Sequence, residues 1–469
     1  MPKKLDQRSF VPMLRAPALA SLLAVASLAL AADPAETLTV EQAVERGRKA
    51  QPALRFAVDS VEAAHQRVGE AIGGYLPQIS ANFQYQLSTS NYVLSPGLSH
   101  LVGTSGGPVS ACLSGTGTVI PCPAKTAGGE SMTPYNYFNP ALNVTETIWD
   151  FGRTSNAVGQ ANAAERGSQD DLATARHQVD LNVRTAFYTA LADQQLVDVA
   201  KEQVEDQAKH LALAQARFDV GAGNKSDVSL ALANEKNAEV ALFTAQNNFD
   251  VAKATLNQAM GAPTTSIDYR LVPTPLELEA TIPNVEAGTE QALQNRPDYK
   301  SAVEKVVAQQ RLVDAERANL YPSLAASGQL GWASYGTLPL IYNWQVGATL
   351  TVPIYTGGID YHKIKEYEAT LDSLIANRDT LGLQVRLDVQ SAVVTALQTK
   401  ASLASAEAAV KSGEDALALA EGQYQVGVGT IVTVDDAQVT EVTAKAGLIQ
   451  ADYNFEAALA KLRYALGQD

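Results

Sequence analysis

Three carboxylates stand beside two breaks in the chain where a reversal could concentrate them. Asp227 follows Val220-Gly221-Ala222-Gly223, and Asp435 with Asp436 follows the related Val426-Gly427-Val428-Gly429-Thr430. Glycine lets a backbone turn tightly and leaves it exposed to a partner, although glycines also end ordinary helices. An acid just after such a break can act in two ways. At a helix N-terminus it stabilises the macrodipole by about 0.3–1 kcal/mol; gathered around a pore by symmetry, it favours cations and repels anions. Catalytic patterns are thin by comparison. Gly103-Thr104-Ser105-Gly106-Gly107 has the form of a nucleophile elbow, but it has neither a strand before it nor a helix after it. His65, His100, His177, His210 and His362 lack metal-ligand spacing, and there is no phosphate-binding glycine loop. The sequence therefore predicts no enzyme, no cofactor and no metal site.

The elements that position these residues begin behind an address. Lys3, Lys4, Arg8 and Arg15 precede an apolar stretch over 16–32 that ends in Ala29-Leu30-Ala31, the layout of a secretory signal cleaved near residue 31. No cysteine sits at the cleavage site for lipid attachment. The 469 residues carry a formal charge of −15, which disfavours nucleic acid as a partner. Mean hydropathy is −0.07, and repeated apolar runs of about 18 residues are missing, which excludes a helical membrane bundle. Membrane strands alternate and escape that test.

The remainder is one pattern written twice. A spacing of 206 residues superimposes Ile148 on Ile354, Gly152 on Gly358, Val220-Gly221 on Val426-Gly427, Gly223 on Gly429 and Gly261 on Gly467. Upstream, a spacing of 245 pairs Pro52 with Pro297 and Pro77 with Pro322. The first half is thus 39 residues longer, mostly within the Gly/Ser/Thr-rich segment 88–133. Cys112 and Cys122 lie inside that excess, and an oxidising compartment favours a local disulfide between them.

Proline placement outlines the helices. No proline occurs between Pro140 and Pro263 or after Pro353, while Pro263, Pro273, Pro275 and Pro283 crowd the join. Each proline-free run predicts a helix of about 66 residues, about 100 Å long, then a glycine break and a helix of about 35. In the shorter helices Val228, Ala231, Glu235, Ala238, Leu242, Ala245, Phe249, Ala252, Leu256 and Ala259 form a heptad stripe. The second half repeats it in type from Val434 to Ala465. An ordinary secreted coiled-coil rod, structural or adhesive, would explain this stripe as well.

Alternating segments separate the two readings. Ile79, Ala81, Phe83, Tyr85 and Leu87 alternate with small polar residues, as do Trp344, Val346, Ala348, Leu350 and Val352. Weaker versions hold Leu142, Val144 and Ile148, interrupted by Glu146, and Leu324, Ala326, Gly328, Leu330 and Trp332. Such strands suit a membrane barrel with lipid on one face and water on the other. Four strands cannot close around a channel, so the chain must oligomerise.

Several ordered motifs carry a resemblance: Thr39-Val40-Glu41-Gln42-Ala43, Leu76-Pro77 with Tyr321-Pro322, Asn295-Arg296-Pro297-Asp298, Trp149-Asp150-Phe151-Gly152-Arg153, Tyr355-Thr356-Gly357-Gly358 and the two Val-Gly-x-Gly turns. Over essentially the whole mature chain the sequence resembles the TolC family of outer-membrane channel proteins. That resemblance implies an α+β membrane protein, internally duplicated, in which a long α-helical periplasmic barrel joins a β-barrel of four strands per protomer and twelve per homotrimer. It implies an outer-membrane duct working with a periplasmic adaptor and an inner-membrane efflux pump or ABC transporter, exporting small molecules or, alternatively, proteins by type I secretion. By this resemblance the unit boundaries are a signal peptide over 1–31, a first repeat over 32–262, an equatorial linker over 263–288 and a second repeat over 289–469. The tip residues Val220, Gly221, Gly223, Val426, Gly427, Gly429 and Thr430 would dock the adaptor. Asp227, Tyr424, Asp435 and Asp436 would form the periplasmic gate. Thr433 and Gly429 depart from relatives that place an acid and an arginine there.

Overall fold

The computed structural model describes residues 36–89, 111–113, 119–121, 134–263, 269–273, 275, 281–335 and 341–468. The signal segment lies outside them, and so do Cys122, with the pairing expected of Cys112, and most of the 88–133 insertion. A short strand β1 (Glu36–Leu38) leads into α1 (Val40–Ala50) and α2 (Pro52–Ile72), followed by β2 (Gln78–Thr89), the small pair β3 (Ala111–Leu113) and β4 (Val119–Pro121), and β5 (Pro134–Trp149). Helix α3 (Arg153–Asp219) returns as α4 (Lys225–Ala259). After β6 (Tyr269–Leu271) the pattern recurs as α5 (Val285–Asn295), α6 (Pro297–Ala318), β7 (Ser323–Tyr335), β8 (Ile341–Thr351), α7 (Ile359–Gln425) and α8 (Ile431–Leu466).

The two long helices are 67 residues each and their partners 35 and 36, close to the lengths that proline placement predicts. Within each hairpin the heptad stripe is the seam: Ala231, Ala238, Ala252 and Leu256 are buried in α4, and Val434, Glu441, Phe455, Ala458, Leu462 and Ala465 in α8. Helices α7 and α8 approach closely at Gly413, where a Cβ would stand 3.1 Å from the Glu441 Cα. Helix α3 also packs against α2, α6 and α8, so it ties both halves together.

The helix before each pair of strands is broken in two. Pro52 and Pro297 each occupy the first turn of the second piece, where a missing N–H costs nothing. The breaks are met by the glycines that end the hairpins. Gly261 has φ +70°, and a Cβ there would lie 2.9 Å from the Ala50 carbonyl; Gly467 has φ +68°, and a Cβ would lie 2.8 Å from the Arg296 nitrogen. Both copies thus use a left-handed glycine for a turn and for close approach. The parallel pair β1 and β6 covers an apolar core that includes Leu38, Val183, Phe187, Leu191, Leu256 and Leu271.

The antiparallel order of the main sheet is β2-β5-β7-β8. Its register aligns the alternating faces across all four strands: Ile79, Val144, Gly328 and Val346 form one row, and Ser80, Asn143, Gln329 and Gln345 the next. The apolar face is open, with Ile79, Phe83, Trp344, Val346 and Leu350 all exposed. Glu146, which interrupts that face, lies opposite Ala326 beside a register shift between Thr147 and Trp149, at the helix end of the sheet. There Asp150 accepts hydrogen bonds from the Gly152 and Thr154 nitrogens at 3.2 and 2.8 Å. Phe151 adopts φ +51°, the conformation that Gly357 takes in the second copy at φ +68°.

Candidate functional site at the hairpin tips

The two hairpin turns lie at the far end of the long helices from the sheet, and they share one construction. Gly221 and Gly427 have φ +78° and +79°. In the first turn the Ala222 nitrogen reaches back to the Arg217 carbonyl at 2.8 Å; in the second the Val428 nitrogen reaches the Gln423 carbonyl at 3.0 Å. These bonds satisfy carbonyls that the ending helix leaves open. Gly223 and Gly429 serve by close approach instead. A Cβ on Gly223 would meet the Phe218 nitrogen at 3.2 Å, and one on Gly429 the Tyr424 nitrogen at 3.0 Å. Thr430 caps α8: its hydroxyl accepts from the Thr433 nitrogen at 3.3 Å, and its own nitrogen donates to the Thr433 hydroxyl at 3.3 Å. Thr433 thereby completes a capping box. Val220, Val426 and Val428 stand 75 to 83% exposed.

The predicted gate residues separate into different environments. Asp436 is exposed, and Asp227 is half-buried in the first turn of α4. Asp435 points instead into the join between the hairpins, where Oδ1 accepts from Asn234 Nδ2 of α4 at 2.9 Å and from Gln207 Nε2 of α3 at 3.5 Å. Gln207 also donates to Gln438 at 2.9 Å, and both amides are buried. Tyr424 is buried as well. Its carbonyl accepts from Arg217 Nη1 at 2.9 Å, and the guanidinium lies 4.7 Å from the ring centroid.

Arg217, Gln207, Asn234 and Gln438 are the members that sequence reasoning missed. Arg217 stands in the last turn of α3, where a cation is already favourable. Nothing in one dimension tells that it crosses to the other hairpin. Further along the same join, Gln195 donates to the Tyr453 hydroxyl at 2.7 Å and Lys445 pairs with Glu202 at 3.0 Å. The contact between hairpins is therefore strung with hydrogen bonds, whereas the contact within each hairpin is an apolar seam. Among the described residues, no three His, Cys, Asp or Glu side chains are grouped to hold a metal ion.

A family model described as "Outer membrane efflux protein" matches residues 44–262 and 288–468. The chain is 24% identical over 438 residues to the outer membrane protein TolC of Salmonella enteritidis, covering 91% of this chain and 81% of that one. It is 26% identical over 362 residues to a probable efflux pump outer membrane protein, TtgC of Pseudomonas putida, covering 73% and 71%. Its fold is similar to that of the CmeC outer membrane channel of Campylobacter jejuni, with a TM-score of 0.75, 19% identity and coverage of 91% and 85%.

Proposed function

As the chain belongs to the family of outer membrane efflux proteins and is an outer-membrane export channel, we propose that three copies close one duct that carries small toxic molecules out of the cell. The observation that carries the trimer is the unfinished sheet. Its outer strands β2 and β8 pair on one side only among the described residues, and its apolar face is open. Three such sheets make twelve strands, an even number suited to a bacterial barrel. The helices offer matching flanks: Val240, Phe243 and Val251 on α4, and Leu383, Leu387, Val394 and Leu397 on α7, are exposed along lines of helical spacing. Covered by neighbouring copies, these lines would close a helical tunnel beneath the barrel. Each repeat, 32–262 and 289–469, supplies two strands and one long hairpin, joined through 263–288, once the signal over 1–31 is removed.

The tips face the periplasm in this arrangement. The exposed Val220, Val426 and Val428 suit an apolar contact with a periplasmic adaptor, which would link the duct to an energised inner-membrane transporter. Asp227 and Asp436, repeated by threefold symmetry, would place an acidic ring at the mouth. The test is to purify the full chain from outer membranes, measure its mass by light scattering and add it to planar bilayers. A three-chain particle that conducts is the expected result. A rod that stays in solution without detergent, or that forms no conductance, overturns the reading.

A further inference from the structure

Near the tips one imidazole is held between the hairpins with a ring nitrogen that has no hydrogen-bond partner. Nε2 of His210, on α3, is shielded from solvent and meets no donor or acceptor. The Oε1 atom of Glu421, on α7, stands 4.0 Å away, too far for a hydrogen bond. The two side chains share a cleft of about 450 Å³ with Asp206, Lys209, Tyr424 and Val434. The other charged groups around this cleft are engaged elsewhere. Lys209 pairs with Asp206 at 2.7 Å, and that hydrogen bond raises the ammonium pKa above its ordinary value. Arg217, two turns along the same helix, is spent on Tyr424. On α8, Asp435 is taken up by Asn234 and Gln207. Glu421 keeps 42% of its side chain exposed, against 13% for His210, so the carboxylate is the partner with room to move.

We propose that His210 and Glu421 form a proton-operated latch between the two hairpins of a protomer. The inference rests on the reading of these tips as the mouth of the duct. In the structure Nε2 is buried without a partner, and with the ring neutral any bond it made to Glu421 would lack the attraction of a full cation for the carboxylate. With the ring protonated, both nitrogens donate, and a cation faces a carboxylate across a short gap. Closing that gap by about 1 Å makes a charge-assisted hydrogen bond of about 2.8 Å. The proton comes from solvent and returns to it, so no other reactant is needed. The latched state holds one proton more than the unlatched one, so acid favours it and rising pH releases it. Histidine side chains as a class change charge between about pH 5 and 8. Mild acid therefore ties the tips together, and neutral or alkaline conditions free the hairpins to move apart.

Hydrogen exchange of the full-length protein in lipid nanodiscs tests the latch. The wild type is compared with His210→Gln, which hydrogen-bonds but takes no proton, and with Glu421→Gln, each at pD 5.5 and pD 8.0. Taking the ratio of variant to wild type at equal pD cancels the intrinsic pH dependence of exchange. For amides over 205–220 and 415–428, the expected result is that this ratio is about tenfold higher at pD 5.5 than at pD 8.0 for both variants. A ratio that stays constant between the two pD values, for either variant, overturns the proposal. If one variant fails to fold, the other decides. A failure of the duct reading shows up separately, as absent bilayer conductance, while the exchange ratios stay measurable.

Discussion

The Arg217 guanidinium crosses from the first hairpin to the second, donating to the Tyr424 carbonyl at 2.9 Å and covering the Tyr424 ring at 4.7 Å. Both contacts use parts of Tyr424 other than its hydroxyl. Arg217→Ala removes a charge-assisted hydrogen bond and a cation–π contact, together about 1–3 kcal/mol. Single-channel recording should show a several-fold rise in open probability for Arg217→Ala, and a partial rise for Arg217→Lys, which lacks the flat guanidinium. Tyr424→Phe should behave as wild type. A large effect of Tyr424→Phe would mean that the phenol bridges to a neighbouring protomer instead.

The two adjacent acids after the second turn should separate in their effects. Asp436 is exposed, while Asp435 is tied to Asn234 and Gln207 at the join. Asp436→Asn is expected to lower the cation-over-anion permeability ratio measured from reversal potentials, with little change in stability. Asp435→Asn should leave that ratio nearly intact and loosen the join, costing about 1–3 kcal/mol through the lost bonds to charge. Equal losses of selectivity from both variants would show that Asp435 also faces the ions.

What could be read in the sequence was whatever repeats or alternates. The 206-residue spacing paired Gly261 with Gly467 and the 245-residue spacing paired Pro52 with Pro297, and the fold brings each glycine against the break beside its proline. Heptads located the seam inside each hairpin because burial there follows a period of three and four. Alternation located all four strands, and even the interruption at Glu146 falls at a sheet margin. The join between the hairpins was illegible for a physical reason. Its contacts, such as Gln207 to Gln438 and Arg217 to Tyr424, link residues more than 200 positions apart through polar side chains with no period of their own. A polar residue on a helix reads as solvated until its neighbour in space is known.

The alternation also fixes which substitutions the membrane should tolerate. Val346 lies on the exposed apolar face, and its neighbour Gln345 on the polar one, in a row with Gln329 and Asn143. Val346→Arg is expected to cost about 2–4 kcal/mol if the site lies near the bilayer midplane, and to reduce the yield of heat-resistant trimer on semi-native gels. Gln345→Arg should assemble normally and alter conductance. The opposite pattern would mean that the lipid and water faces are exchanged.

Arg296 anchors the second break in a way that should dominate its stability. The residue is buried; Nη1 donates to Asp388 at 2.8 Å, Nη2 to Asp298 at 2.6 Å, and the guanidinium lies 5.8 Å from the Tyr464 ring centroid. Burial by itself lowers the pKa of this guanidinium, but the hydrogen bonds to Asp298 and Asp388 outweigh it and hold the pKa above the ordinary arginine value. The cation therefore persists at every pH where the protein folds, and the weak point is its removal. Arg296→Met leaves two carboxylates facing each other without their counter-charge, expected to cost about 3–5 kcal/mol in denaturant unfolding. Adding Asp298→Asn and Asp388→Asn to Arg296→Met should restore most of that loss, because a neutral site has no unpaired charge to desolvate. If the triple variant is no more stable than Arg296→Met, the role of Arg296 is packing against Tyr464 and the helix-ending turn at Gly467, and charge pairing is secondary.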